Sequence, residues 1–345
     1  MIINSNNGWD QLEEVIVGRA DNARTPNVDA SMRNFMYANK EYEELYELPG
    51  QHKKETIDQG NEDLDILSDV LEDCGIKVHR PYPDTHWKTI QTPYWKTTGW
   101  YNYCPRDLIL VLNDTLIETP SSMRSRMFET YSYRDIMYEA FHDGAKLISA
   151  PKPMLTDDNY DFSDLSVPTL MNKEILFDAA NIVRMGKDIL YQISNSGNRL
   201  GAEWLQRTFP EYRVHTTEKS YSGAHIDSTI TPLRPGLVLL NADRCSKDSY
   251  PQIFKSWDKI FFNDWVSIDY DGIAVCENAI ALNILSINEK LAIVDEDQKP
   301  LMKVLHSHGI ESIPLKLRPT RTLGGGFHCV TLDLKREGTL ENYFD

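Results

Sequence analysis

The sequence predicts an α/β fold, one closed ring of about five pseudo-repeated strand-helix-strand units around a central channel. Two observations predict it. A helical stretch, a Gly or polar break and a short apolar strand recur in that order along the 345 residues, and each copy follows a further strand or hairpin candidate. No unit of this size can bury both of its faces alone, so the units must cover one another, and no Pro/Ser/Gly-rich linker divides them. A single domain over residues 1–345 is therefore expected.

In chain order, Glu14 to Val17 reads as the first strand. Asn61 to Cys74 follows as a helix with Leu64, Leu67, Leu71 and Cys74 on one face, stopped by Gly75 and continued by the strand Ile76 to His79. Leu108 to Leu112 opens the second unit. Its helix, Ser132 to Asp143, aligns Tyr133, Ile136, Met137, Ala140 and Phe141, stops at Gly144 and leads into Ala145 to Ile148. The third unit takes Ile189 to Ile193, Leu200 to Phe209 and Tyr212 to His215; the fourth takes Leu237 to Leu240, Pro251 to Trp257 and Ile260 to Phe262. The fifth begins with Ile284 to Ile287, carries Leu301, Val304 and Leu305 on the helix Lys299 to His308, stops at Gly309 and continues to Ile313-Pro314-Leu315. The Pro-containing stretch Ala150 to Asn172 reads as an excursion over the surface.

Composition bounds the function. A chain that is 41% hydrophobic and 26% charged folds. A net charge of −16 repels a polyphosphate, which argues against nucleic acid and suits a cationic small substrate. No apolar run approaches the about 18 to 20 residues of a membrane span, and Met1 to Asn4 lacks the basic, apolar start of a signal peptide, so a cytoplasmic protein is expected. Five widely spaced cysteines without a C-x-x-C give neither a disulfide framework nor a structural zinc site.

One of them has chemistry in its surroundings. Cys329 ends Gly324-Gly325-Gly326-Phe327-His328-Cys329 and precedes Val330 to Leu334, which alternates like a strand. Glycines without Cβ admit a substrate close to the backbone, Gly325 among them, and the strand would hold the sulfur in place. A lone Cys reads as an inert core residue. The company elsewhere, Asp107, Asp178, and His225 with Asp227, shifts that reading, because each lies at the edge of a predicted strand where a central channel would gather them.

The segments Phe177 to Asn181, His225 to Thr229 and Leu323 to Cys329 closely resemble the arginine-dependent amidinotransferases, the family of glycine amidinotransferase and the inosamine-phosphate amidinotransferases. Asn7 to Gly18, Tyr103 to Asp107, Ala150 to Pro153 and Gly338 to Leu340 extend the likeness through nearly the whole chain. The resemblance implies a five-bladed α/β propeller, the pentein fold. It also implies transfer of the amidino group of L-arginine to an amine, with release of ornithine and with neither metal nor organic cofactor. A planar guanidinium suits bidentate grip by carboxylates, and its carbon needs a thiolate nucleophile and a proton shuttle. By the likeness, Cys329 is that nucleophile, His225 the shuttle and Asp178 the carboxylate paired with it. Asp107 and Asp227 bind guanidinium, and Arg244 receives the donor's α-carboxylate.

Glycine-accepting members carry Met directly before the active-site His and Asn two positions earlier, where this chain has Ala224 and Ser222. The smaller pair leaves room for an acceptor larger than glycine, and the text near Ala179 to Asn181, Ser194 to Asn198 and Ser228 to Ile230 is nearer the inosamine-phosphate branch. Cys276-Glu277 departs from the family, which presents small hydroxyl residues there near the arginine site. Two rivals stand beside the transferase: an arginine deiminase-like hydrolase using the same groups, and a non-catalytic module built on the same ring. Asp107 and Asp227 also read as turn or helix caps. His328 reads as structural because strand neighbours face opposite sides. His306 and His308, at i and i+2 of a helix, point apart and hold no metal. Arg124-Ser125-Arg126 reads as solvated or salt-bridged charge, and a homodimer is compatible with the sequence.

Overall fold

A computed structural model describes residues 1–83, 88–218, 220–221 and 223–344. Its frame is five three-stranded sheets. In four of them a hairpin is followed by a strand parallel to the hairpin's second strand. These are Ile109–Leu112, Thr115–Glu118 and Lys146–Ser149; Ile182–Met185, Asp188–Gln192 and Arg213–Thr217; Ile230–Arg234, Leu237–Asn241 and Asp258–Phe262; and Leu285–Asn288, Leu291–Asp295 and Glu311–Leu315. The remaining sheet joins the two ends of the chain. The C-terminal strand Thr331–Arg336 lies antiparallel to Leu12–Val17, which pairs in parallel with Lys77–His79. This pairing closes the ring, and the molecule is the α/β propeller of the pentein fold. Two short hairpins, Arg24–Thr25 with Gly50–Gln51 and Thr89–Gln91 with Lys96–Thr98, lie outside the blades.

The crossover helices follow the apolar periodicity. Lys54–Asp73 buries Leu64, Leu67 and Leu71, and Lys299–Ser307 buries Leu301 and Leu305. Arg134–His142 buries Met137 and Ala140, and Arg199–Thr208 buries Ala202 and Leu205. Gly75, Gly144 and Gly309 all take positive φ just past their helices, the left-handed stop expected of them. The first helix begins seven residues before Asn61. Two residues assigned to apolar faces, Cys74 and Phe141, are exposed, so the buried stripe is narrower than the periodicity suggests. Pro251 to Trp257 is not an α-helix but a single 3₁₀ turn, Gln252–Phe254. One turn already buries Phe254 and Trp257, and a helix so short gains little from further hydrogen bonds.

The strand missed in most units is one arm of the hairpin: Thr115–Glu118, Ile182–Met185, Ile230–Arg234 and Leu291–Asp295. The stretch 150–172 is more than a surface excursion. Leu155, Tyr160 and Leu170 are buried in a small apolar cluster with Trp95, and Thr169 lies against the central cavity. Within the C-terminal strand, Asp333 is buried among three guanidinium groups. It accepts from Arg184 Nη2 at 2.5 Å and Arg336 Nε at 2.9 Å, and from Arg106, while Ser5 Oγ donates at 2.9 Å. Arg106, Arg184 and the strand that holds Asp333 and Arg336 belong to three different blades, so the ion cluster ties those blades together.

Candidate active site

One short turn precedes the first strand of each blade, and each such turn sends a polar side chain toward the axis. Asp107 closes the 3₁₀ turn Pro105–Asp107 before Ile109–Leu112, and Asp178 caps Ala179–Asn181 before Ile182–Met185. Asp227 precedes Ile230–Arg234, Asn283 follows the 3₁₀ turn Asn278–Leu282 before Leu285–Asn288, and Cys329 lies in a turn ahead of Thr331–Arg336. Cys329 is thus not on a strand, and Val330 belongs to the same turn, whose Val330 N–H donates to the Gly326 carbonyl at 3.0 Å.

These residues converge. Asp107, His225 and Cys329 each offer a ligand atom, and those atoms all lie within 4.8 Å of one another. His225 Nε2 lies 3.0 Å from Asp178 Oδ2, and its Nδ1 lies 3.7 Å from Asp107 Oδ1. Cys329 Sγ donates to Asp227 Oδ2 at 3.2 Å and accepts from Asn283 Nδ2 at 3.1 Å. Asn283 Oδ1 accepts the Cys329 N–H at 2.9 Å and the Gly326 N–H at 3.2 Å, so one amide holds both the sulfur and its turn. All face a cavity of about 590 Å³ except Asp178, fully buried behind the imidazole, and Asn283, buried behind the thiol. Gly325 and Ala224 line the cavity; Ser222 lies outside the described residues.

Several partners had no signal of their own in the sequence. Arg124 and Arg126 are buried, not solvated. Arg126 donates to Glu129 through Nε and Nη2, at 2.7 and 2.8 Å, and to Asp107 Oδ2 through Nη1 at 2.7 Å. Asp107 Oδ1 is left buried without a hydrogen-bond partner, as is Asp178 Oδ1. His328 lies in the same turn as Cys329, so strand alternation does not apply, and its Nδ1 donates to Asp227 Oδ2 at 2.9 Å. Phe35, from the helix Ala30–Met36, packs edge-on against the His225 ring at 5.3 Å. His225 itself has φ +63, a left-handed conformation that costs about 1–3 kcal/mol and persists where its surroundings enforce it. Asn283 could have been found by carrying the repeat into the fifth unit, where it is the polar residue just ahead of a predicted strand.

The electrostatics follow from burial and these pairings. Burial opposes charge on His225, but Asp107, Asp178 and Cys329 beside it together raise its pKa well above 6.5. The neighbouring Cys104 thiol, burial and Asp227 raise the Cys329 thiol well above its ordinary value, against the lowering influence of His225. Burial raises Asp107, opposed by His225 and Arg126. Asp227 is lowered despite burial, chiefly by the His328 hydrogen bond, while burial and Arg106 push His328 down to about 4 and keep it neutral. Asp107, His225 and Cys329 have the spacing of a metal site, but a protonated imidazole next to an arginine-paired carboxylate opposes a divalent cation.

Arg244 reaches the same cavity from the turn after Leu237–Asn241. Its Nη1 donates to Ser228 Oγ at 3.0 Å and Thr229 Oγ1 at 2.7 Å, its Cζ lies over the Tyr221 ring 3.5 Å from the centroid, and its Nη2 donates to Glu277 Oε2 at 2.7 Å.

A relative 42% identical over 345 residues, spanning 99% of both chains, is inosamine-phosphate amidinotransferase 1 of Streptomyces glaucescens. This chain belongs to the amidinotransferase family. The solved inosamine-phosphate amidinotransferase of Streptomyces griseus superposes with a TM-score of 0.97 at 43% identity over 99% of each chain. The mitochondrial glycine amidinotransferase of Gallus gallus is more distant, 35% identical over 99% of this chain and 84% of that one, so this amidinotransferase stands nearer the inosamine-phosphate branch. No protein-family model matches the chain. Among the described residues no helix is long and apolar enough to cross a membrane.

Proposed function

We propose that this amidinotransferase takes the amidino group of L-arginine onto Cys329, releases ornithine and passes the group to an amine larger than glycine. The observation that carries the reading is the meeting of Cys329 Sγ, His225 and two carboxylates on one cavity wall, with Asp107 Oδ1 buried there without a hydrogen bond. A buried acceptor without a donor is costly, and a guanidinium N–H supplies the missing one.

The charges suggest an order of events. In the free enzyme the thiol is protonated and donates to Asp227. Beside Cys104 and burial, the Asp227 charge also holds the thiol's pKa up; a guanidinium cation seated between Asp107 and Asp227 offsets that charge, so substrate binding favours the thiolate, whose proton goes to solvent. The sulfur attacks the guanidinium carbon and the C–N bond to ornithine breaks. His225 gives its proton to the departing amine and is left as neutral imidazole, the thiol proton having gone to solvent when the thiolate formed. In the second half, the acceptor amine attacks the amidino carbon, its surplus proton passes to the neutral His225, and the sulfur leaves as thiolate, which regains its proton from solvent once the product departs. Ala224 beside the imidazole presents only a methyl group, which supports room for the larger acceptor.

Incubation with arginine tests this directly. Ornithine should form only when an amine is supplied, and a quenched reaction with arginine alone should show an amidino adduct on the Cys329 peptide. Cys329→Ser should fold and show neither. Citrulline and ammonia from arginine alone would instead mark a hydrolase, and an adduct on Cys104 or Cys276 would displace the nucleophile.

A further inference from the structure

From the pairing of Glu277 with Arg244 we infer that Glu277 reads the α-ammonium group of the donor, so that the two residues together recognise a zwitterionic amino-acid end. The inference rests on arginine being the donor and on Arg244 taking its carboxylate. Arg244 is fixed at Nη1 by Ser228 and Thr229 and on one face by Tyr221, which leaves its Nη2 edge to the cavity it lines. That edge holds the Glu277 carboxylate, whose oxygen stands where a ligand carboxylate would. The Arg244 side chain is 10% exposed and the Glu277 side chain 67% exposed, so the arginine is the fixed member and the glutamate the one free to swing.

An incoming α-carboxylate that takes the Nη2 edge displaces Glu277 by only the width of the new ligand. The donor's ammonium is attached to the same carbon as that carboxylate, so the displaced glutamate finds a cation beside it. A lone arginine at this position would select for carboxylate alone. The Arg244–Glu277 pair presents one charge of each sign, matching both charges of the α-carbon and leaving no unpaired charge at the rim. Cys276, the other residue of the dipeptide, lines the same cavity, and its thiol donates to the Thr320 carbonyl at 3.3 Å.

The test separates the two charges with agmatine, which keeps the amine and lacks the carboxylate, and argininic acid, which keeps the carboxylate and carries hydroxyl in place of the amine. Each is measured as alternate donor or competitive inhibitor beside arginine. Glu277→Gln should weaken arginine and agmatine by about tenfold, the worth of one charged hydrogen bond, and should not weaken argininic acid. Arg244→Gln should weaken arginine and argininic acid and spare agmatine. If Glu277→Gln tightens arginine and argininic acid alike, the glutamate only competes for Arg244 and the inference fails. Unchanged binding of all three ligands overturns it as well. Should Arg244→Gln spare argininic acid, the carboxylate assignment fails; should wild-type enzyme form no ornithine from arginine plus amine, the donor assignment fails.

Discussion

Asn283 is the side chain on which the nucleophile most directly depends, since its amide fixes the turn with its oxygen and faces the sulfur with its nitrogen. The nitrogen is a donor that favours the thiolate. Removing it should push the thiol, already raised by Cys104, burial and Asp227, further up. Asn283→Ala is expected to move the pH profile of Cys329 alkylation by iodoacetamide toward higher pH and to lower kcat about ten- to a hundredfold, the worth of a hydrogen bond to a charged group. An unmoved profile would reduce Asn283 to a packing residue. The acceptor side turns on Ala224. If its small size admits a large amine, Ala224→Met should raise KM for a large acceptor by more than tenfold and for glycine or another small amine much less; equal losses would sink that account. Sequence pattern named Cys329, His225 and the three aspartates because each carries reactive chemistry beside a strand. It could not name the partners of Arg126, which reads only as solvated or salt-bridged charge until folding places Asp107 and Glu129 against it.

Among the elements, the turn from Gly324 to Val330 decides where the sulfur sits. Gly325 has φ +88, and a Cβ there would meet Cys104 Sγ at 2.7 Å and Cys329 Cβ at 2.9 Å. Gly325→Ala must therefore move the nucleophile's own backbone or the thiol behind it. A fall in kcat of about a hundredfold is expected, with a loss of stability of about 1–2 kcal/mol from the left-handed conformation. Gly236→Ala is the control, because Gly236 has φ +83 in a hairpin with open space around it, and the same backbone cost should appear there without the kinetic loss. A parallel fall in stability and activity at both positions would show that only backbone strain was at work. Four crossover helices were legible from their apolar spacing, three of them with glycine stops, while the helix read over Pro251 to Trp257 is a 3₁₀ turn. The hairpins were half legible, because tight turns such as Asn113-Asp114 and Pro235-Gly236 leave so little polar sequence between strands that two arms read as one.

At the scale of the whole molecule, closure depends on the last strand returning to the first and on Asp333 within that strand. Asp333 is buried among Arg106, Arg184 and Arg336, and these charges hold its carboxyl well below 3.8 despite burial. Asp333→Asn leaves three guanidinium groups without their counter-charge and should cost about 3–5 kcal/mol, read as a lower unfolding midpoint in denaturant. The sign of the pH dependence follows from the depressed pKa. The native carboxylate contributes in full above the unfolded value of 3.8, and that contribution is lost as pH falls through the lower folded value. The gap between wild type and variant should thus be constant near neutrality and close only in strong acid; a gap that closes near neutral pH would show that another group governs it. By itself the sequence determined the repeated units, the ring they require and the reactive residue types, because periodicity and side-chain chemistry are local properties. Only the tertiary structure decided that the two chain ends share a blade, that His328 serves Asp227 and that Glu277 occupies Arg244. Each of these is a pairing between segments far apart in the sequence, fixed only once the ring has closed, which no local pattern encodes.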